Sequence, residues 1–190
     1  MQYIYQYLFH ALWIGYLIYW WTMAVNVKVT LRTESPLSRI ARSVSMMLAA
    51  LLLILPKWPF LFLDLNFLPQ SNLSFWAGSA ITAGGLGFSI WARLFLGKNW
   101  SQAVTIKADH KLITSGPYAL VRHPIYTGLL FGIAGTALAL GRWRGVIAVL
   151  LVFTVLLHKL RMEEKWLAEQ FGEPYKLYCG KVSAIIPFLI

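Results

Sequence analysis

From Met1 to Val27 the chain carries no Asp, Glu, Lys or Arg, and beyond it long apolar runs alternate with short basic stretches. A helix needs about 20 mostly apolar residues to cross the hydrocarbon core of a bilayer. The pattern therefore predicts five membrane segments, over Tyr3–Val25, Ser43–Leu63, Phe75–Leu96, Ile125–Leu140 and Trp143–Leu160. Pro56, Lys57 and Pro59 predict a break near the end of the second, followed by an interfacial stretch rich in Trp and Phe. Only Gly141 to Arg144 separates the fourth from the fifth. That spacing predicts a tight helical hairpin, with Gly128, Gly132 and Gly135 letting backbones approach. Past Leu160, Met162, Trp166, Leu167 and Phe171 recur at helical spacing with charges between them. They predict an amphipathic helix that continues the fifth segment or lies against the membrane.

The fold class expected is all-α, a polytopic helical bundle forming one membrane domain over residues 1–190. Three N-terminal helices fill residues 1–96, and residues 97–190 hold a polar loop, the hairpin and the amphipathic tail. The first segment has no positively charged start and no small-residue cleavage site before Lys28, so it is expected to stay in the protein.

Composition agrees with a bilayer as solvent: 58% of the 190 residues are hydrophobic and 13% are charged. A formal net charge of +10 would suggest nucleic acid in a soluble protein. Here long apolar runs interrupt the basic residues, so topology explains them better and no nucleic-acid partner is expected. Of the 17 Lys and Arg, only Lys57, Arg142 and Arg144 fall on one side of the predicted spans. This positive-inside bias predicts an outside N-terminus, with the 97–124 loop and the C-terminal tail in the cytoplasm. Cys179 is the single cysteine, which rules out an intrachain disulfide and a thiolate metal cluster.

Two cytoplasmic regions can carry chemistry. The first runs from Ser115 to Gly128, S-G-P-Y-A-L-V-R-H-P-I-Y-T-G, and sets Arg122 and His123 just before a helix that opens on Pro124. Exposed amides at that helix start, with an arginine beside them, favour an anion; equally, Arg122 and His123 can simply anchor the helix at the headgroups. The second is Glu163-Glu164, which the hairpin returns toward Arg122 and His123. These carboxylates can receive a cationic group, or form a solvated face paired with Arg161 or Lys165.

The segment from Leu96 to Gly128 and the tail from Glu163 to Pro187 resemble the isoprenylcysteine carboxyl methyltransferases and the related phospholipid methyltransferases. The order G-P-Y, R-H-P-x-Y-x-G, E-E and F-G-x-x-Y-x-x-Y, then a basic residue before valine, carries the resemblance over about half the chain. It implies a small helical bundle with a cytoplasmic pocket for S-adenosylmethionine, which leaves as S-adenosylhomocysteine, and no metal. It also implies that His110, Leu112, Gly116, Pro117 and Tyr118 line the adenosine side. Arg122, His123, Pro124, Tyr126 and Gly128 would face the amino-acid portion and the reacting centre, and Glu163 and Glu164 would close the pocket. Cys179 and Gly180 stand where relatives often carry charges, and Lys181 replaces the usual arginine before Val182; these departures bear on the substrate.

Methyl transfer from a sulfonium is an in-line displacement that needs alignment and exclusion of water. A carboxylate acceptor is already ionised, and Arg122 is the residue expected to orient it. An amine acceptor must lose a proton, for which Glu163 or Glu164 is the expected base. A lipophilic or prenylated acceptor would enter from the bilayer past Trp91, Phe95 and Trp100, unless these are ordinary interfacial aromatics, with Lys181 also at the acceptor side. Two rival readings remain open at this stage. One is a membrane reductase using a nicotinamide dinucleotide, for which the chain is short and has no second phosphate-binding cluster. The other is a non-enzymatic membrane protein, which the near absence of ionisable residues within the surest spans, His10 apart, makes a poor transporter.

Overall fold

The computed structural model describes residues 2–23, 30–58, 61–97, 105–107 and 112–187. Its elements in chain order are α1 (Gln2–Met23), β1 (Thr30–Thr33), α2 (Pro36–Ile54), α3 (Asn72–Leu96), β2 (Thr105–Lys107), α4 (Pro124–Leu140), α5 (Trp143–Phe171) and α6 (Glu173–Cys179). Single 3-10 turns lie at Leu61–Asp64 and Gly116–Ala119. The described residues form an all-α bundle of six helices with one short antiparallel ribbon, in which Thr33 of β1 pairs with Thr105 of β2 and Thr30 with Lys107.

The second helix departs from the expected Ser43–Leu63. It starts at Pro36, because the Ser35 side chain accepts from Ser38 N and Pro36 supplies a ready-made first turn. It stops at Ile54, just ahead of Pro56. Arg39 and Arg42, expected in the preceding loop, thus belong to its first turns. α3 likewise begins earlier than Phe75, where Ser71 and Ser74 form a reciprocal capping box. α5 runs unbroken to Phe171, so the amphipathic stretch is a direct extension of the fifth segment.

Among the described residues α2, α3 and α5 are long and apolar enough to cross a membrane, and α4 is a shorter apolar helix of 17 residues. Of the five spans expected, three meet both requirements among the described residues, whereas α1 is diluted by Gln, His and several Tyr and α4 is short.

Glycine sets the closest packing, but not where the sequence suggested. Gly128, Gly132 and Gly135 face α3, not α5. A Cβ on Gly128 would lie 2.4 Å from Gly85 O, and one on Gly135 would lie 2.6 Å from Gly78 O. The α3 and α4 backbones therefore touch, and Thr82 Oγ1 donates across the seam to Gly132 O at 3.2 Å. The α4–α5 hairpin turns at Gly141, which has φ +65°, and uses Gly145 against Ala137. Gly128→Ala is expected to force α3 and α4 apart at a cost of about 1–3 kcal/mol. Gly84→Ala, at a position with open space around it, is the matched control. Thermal melting in detergent reads the difference; equal melting temperatures would contradict the contact.

α1 is tied to this pair by Tyr16 OH and Ser89 Oγ at 2.8 Å and by Trp13 Nε1 donating to Thr136 Oγ1 at 3.1 Å. α2 lies on α5 across a core of Ala49, Leu52, Ile133, Ala148, Val152 and Leu156. One end of the bundle is closed by Asp64, which takes Trp58 N at 2.9 Å, Arg142 at 3.1 Å and Arg144 at 3.3 Å. The other end holds the polar groups of interest.

Candidate active site

The chain reaches α4 through the 3-10 turn at Gly116–Ala119. Gly116 has φ +60°, a backbone angle that favours glycine, and the Phe95 ring lies over it and would have to shift for a Cβ. Pro117 and Tyr118 are buried behind it. His123 then ends the loop and Pro124 starts α4.

The amides ahead of α4 are not open to an anion. Arg122 N donates to Ser183 O at 2.8 Å and His123 N to Ala184 O at 2.9 Å, while Thr127 Oγ1 donates to Ile185 O at 2.7 Å. The segment after α6 thus lies along the R-H-P stretch and supplies the carbonyls that its donors need. The two amides just ahead of the helix, which one of the sequence alternatives offered to an anion, are taken by the chain itself.

Glu163 and Glu164 do meet Arg122 and His123. Consecutive helix residues point about 100° apart, so the two carboxylates take opposite flanks of the His123 ring. Glu164 Oε1 lies 3.3 Å from His123 Nε2, and Glu163 Oε2 lies 3.6 Å from Nδ1. Arg122 grips Glu164 through Nε at 2.7 Å and Nη2 at 2.6 Å, and its Nη1 donates to Cys179 O and Val182 O. Tyr126 OH lies 2.6 Å from each Glu163 oxygen, and its ring stacks on His123 with centroids 5.4 Å apart. Lys159, one turn before Glu163, sits 3.8 Å from that carboxylate and 5.0 Å from the centre of the Tyr126 ring.

Burial opposes a charge on His123, yet its bonds to the two carboxylates outweigh burial and raise it above its ordinary value. With Nε2 in hydrogen-bond reach of Glu164 and Nδ1 in ion-pair reach of Glu163, the surroundings favour the ring with a proton on each nitrogen. A histidine raised in the folded state contributes stability that is complete below its ordinary value of 6.5 and is lost as pH rises through the raised value. The protein is therefore expected to melt at a lower temperature at pH 9 than at pH 6, and His123→Gln to lose most of that difference. The same pH dependence in both proteins would contradict the assignment.

Beside Arg122 opens a cleft lined by Leu96, Leu112, Ile113, Tyr118, Leu167, Phe171, Tyr175 and Tyr178. Leu112 and Tyr118, expected on the adenosine side, both line this cleft, and Tyr178 OH donates to Tyr118 O. His110 and Trp100 lie outside the described residues. Pro117, Pro124 and Gly128 are packed inside, with Gly128 against α3. Trp91 and Phe95 form an edge-to-face pair 5.8 Å apart on the half-exposed side of α3, and Lys181 is exposed.

Sequence reasoning missed several contributors, among them Tyr178 on the cleft wall and Lys159 beside Glu163. Tyr175 and Phe171 line the cleft, and Glu34 and Arg42, which pair at 2.5 Å, act electrostatically on Lys159. A signal existed for Glu34: it is the sole acidic residue before Asp64, set among four basic ones.

Fold and cluster define a helical membrane protein with a half-buried ring of alternating charges beside an aromatic cleft. Residues 73–174 match the family described as phospholipid methyltransferase. The chain is 35% identical over 96 residues to a protein-S-isoprenylcysteine O-methyltransferase of Schizosaccharomyces pombe, covering 49% of this chain and 41% of that protein. It is 32% identical over 145 residues to the Rattus norvegicus protein of the same name, covering 71% and 50%. The solved eukaryotic intramembrane Ras methyltransferase, an isoprenylcysteine carboxyl methyltransferase, superposes with a TM-score of 0.56 at 26% identity, covering 84% of this chain and 55% of that one. The chain spans about half the length of the curated relatives it matches. It belongs to the phospholipid methyltransferase family, the integral membrane methyltransferases that include the isoprenylcysteine enzymes. Membership implies S-adenosylmethionine as the methyl donor.

Proposed function

We propose that the protein transfers a methyl group from S-adenosylmethionine to the carboxylate of a lipophilic, prenylcysteine-like acceptor at the membrane surface. The observation that carries this reading is the Arg122–Glu164–His123–Glu163–Tyr126 ring, assembled from the family motifs beside an aromatic cleft. The residues suit the donor. Glu164 and Arg122 offer both signs of charge to its ammonium and carboxylate, and Tyr118, Phe171, Tyr175 and Tyr178 offer flat faces to an adenine. The Tyr175 hydroxyl is buried on the cleft wall beside Cys179, a polar group at the edge of the space a bound molecule would fill.

When bound, the donor supplies a methyl group activated by its sulfonium. The chain has then to hold, align and dry the reactants. Arg122 fixes Glu164, Tyr126 fixes Glu163, and His123 keeps the two apart, so the carboxylates stay ionised and preorganised. A carboxylate acceptor needs no general base, in keeping with the engagement of both Glu163 oxygens by Tyr126. The family description favours a second reading, N-methylation of a phospholipid amine, in which Glu163 or Glu164 would take the amine proton. We further infer five passes with the N-terminus outside and the cluster at the cytoplasmic face, on the basic-residue bias.

Purified protein with methyl-labelled donor and either N-acetyl-S-farnesylcysteine or phosphatidylethanolamine tests the choice. Carboxyl methylation puts a base-labile ester on the first and leaves the second unlabelled. A base-stable label on the amine lipid alone would favour the other reading.

A further inference from the structure

Arg122, the residue expected from the sequence to orient an acceptor carboxylate, has all three guanidinium nitrogens engaged: Nε and Nη2 on Glu164, Nη1 on two carbonyls. One N–H on Nη2 is left over, so Arg122 can offer a single further hydrogen bond but cannot take a carboxylate with two parallel ones without releasing Glu164. Another cation at this end of the bundle is differently placed. Arg42 contacts Glu34 through Nη1 alone, at 2.5 Å and 2.6 Å to its two oxygens, and among the described residues its Nε and Nη2 have no partner. That pair of donors is the planar edge that takes a carboxylate with two parallel hydrogen bonds.

The packing brings this edge to the site. α2 runs antiparallel to α5, since Arg144 in the first turn of α5 donates to Leu55 O at the end of α2. In the middle, Ala49 and Leu52 share one buried cluster with Ala148, Val152 and Leu156. Arg42 lies seven residues, two turns, before Ala49, and Lys159 lies seven residues after Val152. Both therefore reach the same end of one seam. Glu34 and Arg42 act electrostatically on Lys159, and Arg42 on Tyr126. The Glu34 side chain is fully buried and also takes Ser38 Oγ at 3.1 Å, which fixes the direction of the arginine. A buried ion pair adds little to stability over an apolar pair of the same size, so its burial at this spot calls for another role. One turn along from Arg42, Met46 packs against the cluster that Tyr126, Leu129 and Leu130 also join. A cationic edge thus stands at the head of an apolar seam.

We propose that Arg42, aimed by Glu34, is the specificity residue for an anionic group on the lipophilic acceptor, whose apolar body lies along the α2–α4 seam from Met46 to Leu130. The inference rests on the carboxyl methyltransfer reading and assigns acceptor recognition to α2, which the sequence resemblance did not cover. It replaces Arg122 in that role and leaves Arg122 to the pocket.

The test uses the full-length protein in detergent with N-acetyl-S-farnesylcysteine as acceptor and its uncharged amide as competitor. Arg42→Ala is expected to bind S-adenosylmethionine within about twofold of wild type, to raise the KM for the acid about tenfold or more, and to be inhibited by the amide as wild type is. Arg42→Lys should recover little, having no planar edge. An unchanged KM in Arg42→Ala would overturn the inference while leaving the carboxyl methyltransfer reading intact. Loss of donor binding in Arg42→Ala would also overturn it, by making the residue a structural prop. No transfer to the acid by wild type, whose donor binding is intact, would remove the reading and this inference together.

Discussion

Glu164→Ala is expected to lower the affinity for S-adenosylmethionine by about 30-fold. Glu164 is the counter-ion of Arg122, with both contacts under 2.8 Å, and it also faces His123 Nε2. In the variant the donor's ammonium would lose its charged partner, and truncating one member of a charge pair across a binding interface costs about 2–5 kcal/mol. Here both side chains keep some exposure, 12% and 24%, which argues for the lower end, about 2 kcal/mol. Calorimetry with the purified variant reads the change. Glu164→Gln should recover part of it, since an amide oxygen still accepts from Arg122 without carrying charge. Wild-type affinity in Glu164→Ala would show that the carboxylate faces solvent and not the donor.

Arg122→Ala is expected to do more than remove a charge. The arginine holds Cys179 O and Val182 O, and its own amide holds Ser183 O, so one residue fastens the start of α4 to the segment after α6. Without the guanidinium, that segment should loosen together with the Tyr175 and Tyr178 wall of the cleft. The expected result is loss of measurable donor binding, with faster hydrogen exchange at the amides of Arg122 and His123 and faster tryptic cleavage after Lys176 and Lys181. Arg122→Lys should restore little, because one ammonium cannot reach a carboxylate and two carbonyls together. Weak donor binding with full exchange protection would mean that Arg122 contributes charge alone and the segment is held by its neighbours.

The sequence was most informative where local chemistry and long apolar runs agree. α3, α4 and the start of α5 follow from uninterrupted apolar stretches ended by Gly and Pro, and the meeting of Arg122 and His123 with Glu163 and Glu164 follows from a hairpin that must return the chain. The start of α2 was misjudged because Arg39 and Arg42 resemble a loop to a hydropathy argument, whereas Ser35 and Pro36 make a helix start there. The partner of the glycine face was misjudged too. Spacing shows that Gly128, Gly132 and Gly135 share a side, but sequential neighbourhood pointed to α5 and the contact is with α3. The β1–β2 ribbon is too short to leave a periodicity. The lone acidic Glu34 among basic residues was a signal, but nothing local ties it or Arg42 to the site. Their link to Lys159 depends on the register of α2 against α5, which apolar side chains set and no local motif records.

The most direct test of the central claim is S-adenosylmethionine binding to the detergent-purified protein by calorimetry, with reduced nicotinamide dinucleotide phosphate titrated in parallel. Saturable binding of the first alone, weakened by Glu164→Ala, is the expected result. Binding of the dinucleotide alone, or of neither compound by protein that melts cooperatively, would contradict a methyltransferase built on this cluster.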